Sequence, residues 1–457
     1  MHNQRRLISV LLTMVMVALI FWGSNGELSV KGQGDSEEEA GWIGKKETIY
    51  VWYTDPDLES YLNSAAVSFS EAEGVRVIPI LKSASTLLQD AYQATMDPEQ
   101  TMPDAFVINN DELEQAYLSG LAMEIENKSD IMNELWYPRT ALSAVKYHSK
   151  LVAYPFYYET SILVYNKDYI EMWLRQQADR PVSTGEGEEE TYEEASWSEN
   201  CVGSDGVPLT VEGLMKFADT FDAPEGVEGV MKWDVADIFY NYWIVGDYLI
   251  IGGECGDDKL NVNICNEETI ECLNTYQALS QFFFIEQEDV GNEAVLQEFM
   301  EGKMVFTIGN TDVVRKLEQA KQEGTFLYDY GVAKLPDISE TLKSKTLSVT
   351  NAMAINGFSE HKEIANRFAE YATRSCAGDL YAKSGKMATA LQSCRDDATL
   401  TIFMEQYTQS VSLPKMMEIG NLWLQLEALF AKVWNGEEVK PLLDKLKVQI
   451  SSQIGEE

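Results

Sequence analysis

AVKYHSKLVAYPFYYETSILVYNKD, residues Ala144–Asp168, governs how the whole chain is read. It opens with a charged turn at Lys146–Lys150 and continues as a strand-like run interrupted at Pro155. Three rings and one acid follow, Phe156, Tyr157, Tyr158 and Glu159. A β-rich apolar run from Ser161 to Tyr165 then stops at Asn166-Lys167-Asp168. Rings beside a lone carboxylate, set between two strands, suit a sugar: the rings cover its apolar face and the acid accepts from its hydroxyls. The same pattern also reads as a buried sheet carrying an incidental glutamate.

Outward from this stretch, 457 residues leave room for two or three domains. The 45% hydrophobic and 11% aromatic content supplies large cores. Acidic residues outnumber basic ones by 74 to 35, a net charge of −39. That excess argues against nucleic acid, whose phosphates need Lys and Arg, and against anionic lipid surfaces and polyanionic ligands. It also keeps an exported protein soluble.

Export is expected from the N-terminus. Arg5 and Arg6 precede an uncharged run, Leu7–Trp22, long enough for a signal-peptide core and short for a membrane span. Residues 1–26 therefore read as a signal peptide or an N-terminal anchor, and the Gly-, Ser- and Glu-rich residues 27–46 as a flexible tether. The first cysteine is Cys201, so no lipobox cysteine follows the apolar run. The expected location is the extracellular face of the cell membrane, with the protein tethered by an uncleaved signal or released. The six cysteines allow local bridges, Cys255–Cys265 and Cys376–Cys394, or free thiols. His2, His148 and His361 are scattered and no C-x-x-C pair occurs, so no metal site and no cofactor are expected.

The folded part starts with the apolar strand at Thr48–Trp52. Tyr53–Asp57 makes a turn in which Asp57 can cap the next helix, and that helix ends at Gly74. A strand at Val75–Leu81, a helix, and a strand at Ala105–Ile108 complete a βαβαβ run, so an α/β fold with mixed, mainly parallel sheets flanked by helices is expected. Ligands sit beyond the carboxyl ends of such strands, which places Tyr53–Asp57 and Asn109–Asp111 at the ligand edge. Residues 181–208 lie in a stretch that holds acids but no Lys or Arg, and they read as a solvated insertion.

Six segments, in order, resemble one family. They are the turn with KLVAYP, Glu159 and YNKD; PDAFVINNDELEQAYLSGLAMEI from Pro103; FMEGKMVFTIGNTD from Phe299; YDYGVAKLP from Tyr328; AINGFSEHKEIANRFAEYA from Ala354; and LPKMMEIGNLWLQLEALFAKVWNGEEVKPLLDKL from Leu413. Together they are spread through most of residues 48–450. The set resembles the extracellular solute-binding proteins of ABC importers, the maltodextrin-binding type above all.

The resemblance implies a two-lobed periplasmic-binding-protein fold (type II) with a hinge between the lobes. One lobe would take 47–158 plus 354–396, the other 159–353 plus 397–457. Crossovers would fall near Tyr158–Ser161, Thr350–Ala354 and Asp396–Thr399. It implies a monomer that catalyses nothing, captures a sugar by hinge closure and delivers it to the membrane permease subunits.

The ligand-binding candidates are Tyr53, Asp55, Asp57, Asn110, Asp111, Tyr158, Glu159, Tyr242, Trp243, Asn310, Asp312 and Trp423. By resemblance, Trp423 is a sugar-stacking ring and Glu159 the crossover acid. Ile108 and Asp312 stand where the maltodextrin type has aromatic residues, which points to a different sugar. In the second lobe Trp233, Tyr240, Tyr242 and Trp243 form the aromatic cluster from which stacking rings would come. A cleft of acids without Lys or Arg would suit neutral or cationic solutes. The alternatives are a polyamine or other cation in the same fold, held by cation–π contact, a sensory binding protein, and a glycosidase using Asp55 or Glu159 with a second acid.

Overall fold

The computed structural model describes residues 47–179, 197–283, 285 and 291–455. The expected signal, the tether and most of the acidic insertion lie outside these residues. Strand β1, Thr48–Tyr53, buries Ile49, Val51, Trp52 and Tyr53, as a strand covered on both faces must. Helix α1, Glu59–Glu73, sinks Tyr61, Leu62, Ala65, Ala66 and Phe69 as one stripe, and Gly74 ends it in the left-handed region at φ 72°. Strand β2 (Arg76–Leu81), helix α2 (Leu87–Met96) and strand β3 (Ala105–Asn109) follow, and β1 pairs parallel with both β2 and β3.

Helix α3 (Arg139–Ala144) leads to β4 (Tyr154–Thr160) and, one residue on, β5 (Ile162–Asn166). Further along come β6 (Gly229–Met231), helix α4 (Ile238–Asn241), β7 (Met304–Gly309), helix α5 (Val313–Glu323) and β8 (Tyr330–Ala333). Strand β9 (Leu347–Ile355), β10 (Met387–Ala388), helix α6 (Ala398–Thr408) and β11 (Val411–Ser412) precede two C-terminal helices, α7 (Leu422–Trp434) and α8 (Val439–Ile454).

The larger sheet has the order β10–β4–β9–β3–β1–β2, with β11 beside β9, and the smaller one β8–β5–β7–β6. Strand β9 runs antiparallel to both β3 and β4, and β5 antiparallel to β7 and β8. The sheets are therefore mixed, with less parallel pairing than expected. The reason is the path: β1, β3 and β4 run toward the smaller sheet, and β9 re-enters from that side.

Three segments pass between the sheets. The first is Ser161, inside the expected Tyr158–Ser161 crossover. The second lies ahead of Leu347, because all of β9 belongs to the larger sheet; Thr350–Ala354 is interior strand. The third falls after Ser412, because β11 pairs with β9 and α6 rests on β4, so Asp396–Thr399 is the approach to a helix of the larger sheet. Buried hydroxyls tie the passages together: Thr160 Oγ1 meets Thr346 Oγ1 at 2.8 Å, and Ser410 Oγ donates to Ser348 Oγ at 2.7 Å. Beyond the third passage, Gln277 Nε2 donates to Val433 O at 3.0 Å, and Trp434 crosses Trp233 edge-on at 5.5 Å, so α7 belongs with the smaller sheet.

All six cysteines are free thiols, so neither expected bridge forms. Among the described residues no helix is long and apolar enough to cross a membrane.

Candidate functional site

Strand β4 decides which side chains meet. Successive residues on a strand point to opposite faces. Tyr158 lies flat on Tyr407 of α6, with centroids 4.0 Å apart, and is fully buried. It is hinge packing, not the ligand ring anticipated. Its neighbours Tyr157 and Glu159 therefore point to the other face, where the two sheets meet. Glu159 is partly buried there. Burial raises its carboxyl pKa, Lys386 opposes that, and Asp312 and Asp55 add to it.

The turn after β1 supplies two acids. Asp55, not Asp57, is the cap: its Oδ1 accepts from Asp57 N at 3.0 Å at the start of a 3-10 turn, Pro56–Leu58. Its other oxygen, Oδ2, pairs with Lys386 Nζ at 2.7 Å. Asp57 Oδ2 lies 3.7 Å from the same ammonium and 3.2 Å from Arg315 Nη2. Burial works against the charge on Lys386, but the Asp55 bond and the fields of Asp312, Asp55 and Glu159 outweigh it and raise its pKa. Tyr53 ends β1 buried in the core and offers no ligand surface.

The end of β3 divides its residues between structure and site. Asn110 is a clamp: its Nδ2 donates to Leu413 O at 2.9 Å and its Oδ1 accepts from Thr350 N at 3.0 Å. Both ends are taken by backbone, which corrects its assignment as a ligand residue. Asp111 keeps one carboxylate oxygen, Oδ1, buried without a hydrogen-bond partner among the described residues. Burial raises the Asp111 pKa, and burial with the adjacent Asp111 charge pushes Glu112 up to about 7. Buried Lys415 faces Asp111 from the third passage, donating to Ser143 O at 3.2 Å; burial lowers its pKa to about 8.

The smaller sheet contributes the opposite wall. Asp312 opens α5, and its Oδ1 is buried without a hydrogen-bond partner among the described residues, with Arg315 Nη2 at 3.4 Å. Asn310 Oδ1 accepts from Asp312 N at 3.1 Å and so shapes the turn. Tyr240 is the aromatic residue that feels Glu159, along with Asp237 and Asp234. Tyr242 and Trp243 are buried in the core, as is Trp233, whose Nε1 donates to Asn241 Oδ1 at 2.9 Å. Trp423 is partly exposed near the start of α7, with Tyr242 behind it at 6.4 Å. Glu427, one turn further, senses Asp237 and Asp234.

The structure thus gathers Asp55, Asp57, Glu159 and Asp312 in one charge network. It adds Lys386, Arg315, Tyr157 and Tyr240. Lys386 and Arg315 bring basic side chains to this network, where none was expected; no local pattern in SGKM or VVRK marks them, because Asp55 and Asp57 lie hundreds of residues away. Carboxylates held between cations beside phenol rings can accept from many hydroxyls at once, the chemistry a polyol requires. Among the described residues no group of three His, Cys, Asp or Glu side chains could hold a metal ion.

Comparison with known proteins identifies the family and the fold. A family model described as bacterial extracellular solute-binding protein matches residues 64–409. The chain is 22% identical over 442 residues to the galactooligosaccharide-binding protein of Bacillus subtilis, covering 93% of this chain and 94% of that one. It is 18% identical over 414 residues to a maltodextrin-binding protein of the same organism, covering 88% of each. Its fold matches the extracellular solute-binding protein of Staphylococcus aureus solved in complex with maltose, with a TM-score of 0.72 and 18% identity, over 90% of this chain and 99% of that one.

Proposed function

The chain belongs to the bacterial extracellular solute-binding protein family, whose members bind solutes and are not enzymes, and we propose that it captures an oligosaccharide for an ABC importer. The observation that carries this reading is the convergence of Glu159, Asp312 and Asp55 beside Tyr157 and Tyr240 at the junction of the two sheets. Planar acceptors beside rings match hydroxyls beside C–H faces. The relatives named for galactooligosaccharides and maltodextrins support the same class of ligand.

In this reading residues 47–160 and 347–412 form one lobe, and 162–333 with 413–455 the other. The lobes close on the sugar about the three passages, and the closed form docks on membrane permease subunits. The protein acts as a monomer at the extracellular face, exported by residues 1–26. Lys386 and Arg315 weigh against a polyamine, because a polycation would have to displace them from their carboxylates.

Calorimetric titration with linear β-galactooligosaccharides, maltooligosaccharides and spermidine tests this reading. Saturable binding of a sugar series supports it. Binding of spermidine with no response to any sugar would overturn it.

A further inference from the structure

Arg315 and Asp57 stand on opposite sides of the cleft. Arg315 lies on α5, which follows β7 of the smaller sheet; Asp57 lies on the turn after β1 of the larger one. Their side chains meet at 3.2 Å. The Arg315 stem passes over Gly385, where a Cβ would come 2.9 Å from both Cδ and Nε, so the glycine leaves the room the stem needs.

The network has a depth order. Side-chain exposure rises from 8% at Lys386 and 21% at Asp55 to 38% at Asp57 and 44% at Arg315. The Asp57–Arg315 pair is the outermost tie, and it crosses from lobe to lobe.

We infer that the Asp57–Arg315 bridge is an end stop, so that the ligand terminates at the Lys386–Asp55 pair and is recognised by a chain end. The inference rests on the oligosaccharide reading. An oligosaccharide running out past Lys386 would have to part an ion pair that joins the two lobes. A terminal ring needs no such passage. It also carries a free hydroxyl that an internal ring has spent on a glycosidic bond, and the carboxylates of Asp55, Glu159 and Asp312 are the acceptors for it. A site built to pair a hydroxyl rejects a ligand that lacks it, because the acceptor is then left buried and unpaired.

The test compares capped and uncapped sugars on the full chain. Linear β-galacto- and maltooligosaccharides, from disaccharide to hexasaccharide, are titrated first. The tightest is then offered with an aminobenzamide tag at its reducing end, or with a benzylidene acetal across the terminal hydroxyls of its non-reducing end. One cap should weaken binding about tenfold or more while the other is tolerated. In Arg315→Ala and Asp57→Asn, checked for folding by melting temperature, the ratio of uncapped to capped affinity should fall toward one. Two tolerated caps in the wild type, or a ratio that persists in both variants, would overturn the end stop. Failure of every uncapped sugar to bind would overturn the oligosaccharide reading, and the end stop with it.

Discussion

The Tyr158 ring lies flat against Tyr407, centroids 4.0 Å apart and planes 8° from parallel, on the face of β4 away from Glu159. The Tyr407 hydroxyl is in turn 2.7 Å from Thr350 Oγ1, so the stack is bolted to the neighbouring strand β9. One residue of β4 therefore packs in the core and the next faces the charged groups at the junction of the sheets. Tyr158→Ala should cost about 3–5 kcal/mol of stability, as other buried rings do. Glu159→Gln should leave stability unchanged or slightly raised, because burial already disfavours the charge, and should weaken sugar binding about tenfold. Urea unfolding and calorimetric titration separate the two effects. Equal losses of stability in both variants would contradict the assignment.

Lys386 and Asp55 form the deepest ion pair of the site. Removing one member of a buried pair leaves the other charge uncompensated, which costs about 3–5 kcal/mol. Here the orphaned charge would be Asp55, with Glu159 and Asp312 nearby. Lys386→Met should therefore destabilise strongly. Adding Asp55→Asn should restore part of the loss, since the amide oxygen still accepts from Asp57 N. The double-mutant cycle should return a coupling of at least about 1 kcal/mol. Additive losses would show that the pair is not coupled.

The β1–α1–β2–α2–β3 run and its Gly74 stop were legible because alternation, helical spacing and a left-handed cap are local signals. The Ser161 passage was legible as a break between two apolar runs. The other passages were not: TLSVTNAMAI carries no Gly or Pro to mark where β9 begins, and its hydroxyls find partners such as Thr160, Tyr407 and Ser410 elsewhere in the chain. The ring-dense Asp237–Ile251 segment misled for a related reason. Trp233 Nε1 and the Tyr276 hydroxyl both donate to Asn241 Oδ1 within it, and composition does not distinguish a core ring from a ligand ring. Lys386 and Arg315 join this network through Asp55 and Asp57, far away in sequence.

Glu112 gives the chain a stability signature near neutrality. Burial first, and then the Asp111 charge, raise its pKa from 4.5 to about 7. An acid whose folded pKa lies above its unfolded value stabilises the fold at low pH, and that contribution is lost as pH rises through the folded pKa. Across the window from 4.5 to about 7 this amounts to as much as about 3 kcal/mol. Glu112→Gln removes the titration, so its urea midpoint should fall less than that of the wild type over the window. Superimposable pH profiles would refute the role.

Trp423 and Tyr242 touch edge to face at 6.4 Å, yet they should respond differently to truncation. Tyr242 is buried, with its hydroxyl donating to Leu249 O at 3.4 Å, so Tyr242→Ala should cost about 3–5 kcal/mol of stability. Trp423 keeps part of its ring exposed, on the helix that packs against α4 and so faces the Tyr240 side of the cleft. Its exposed face is free to cover a sugar, and the area removed from water there is worth about 1.5–3 kcal/mol of binding. Trp423→Ala should thus weaken oligosaccharide affinity about tenfold or more, with a smaller loss of stability than Tyr242→Ala. Titration and differential scanning calorimetry on the same samples decide the matter. A full core-sized loss of stability with affinity unchanged would make Trp423 a packing residue and leave Tyr240 as the stacking ring.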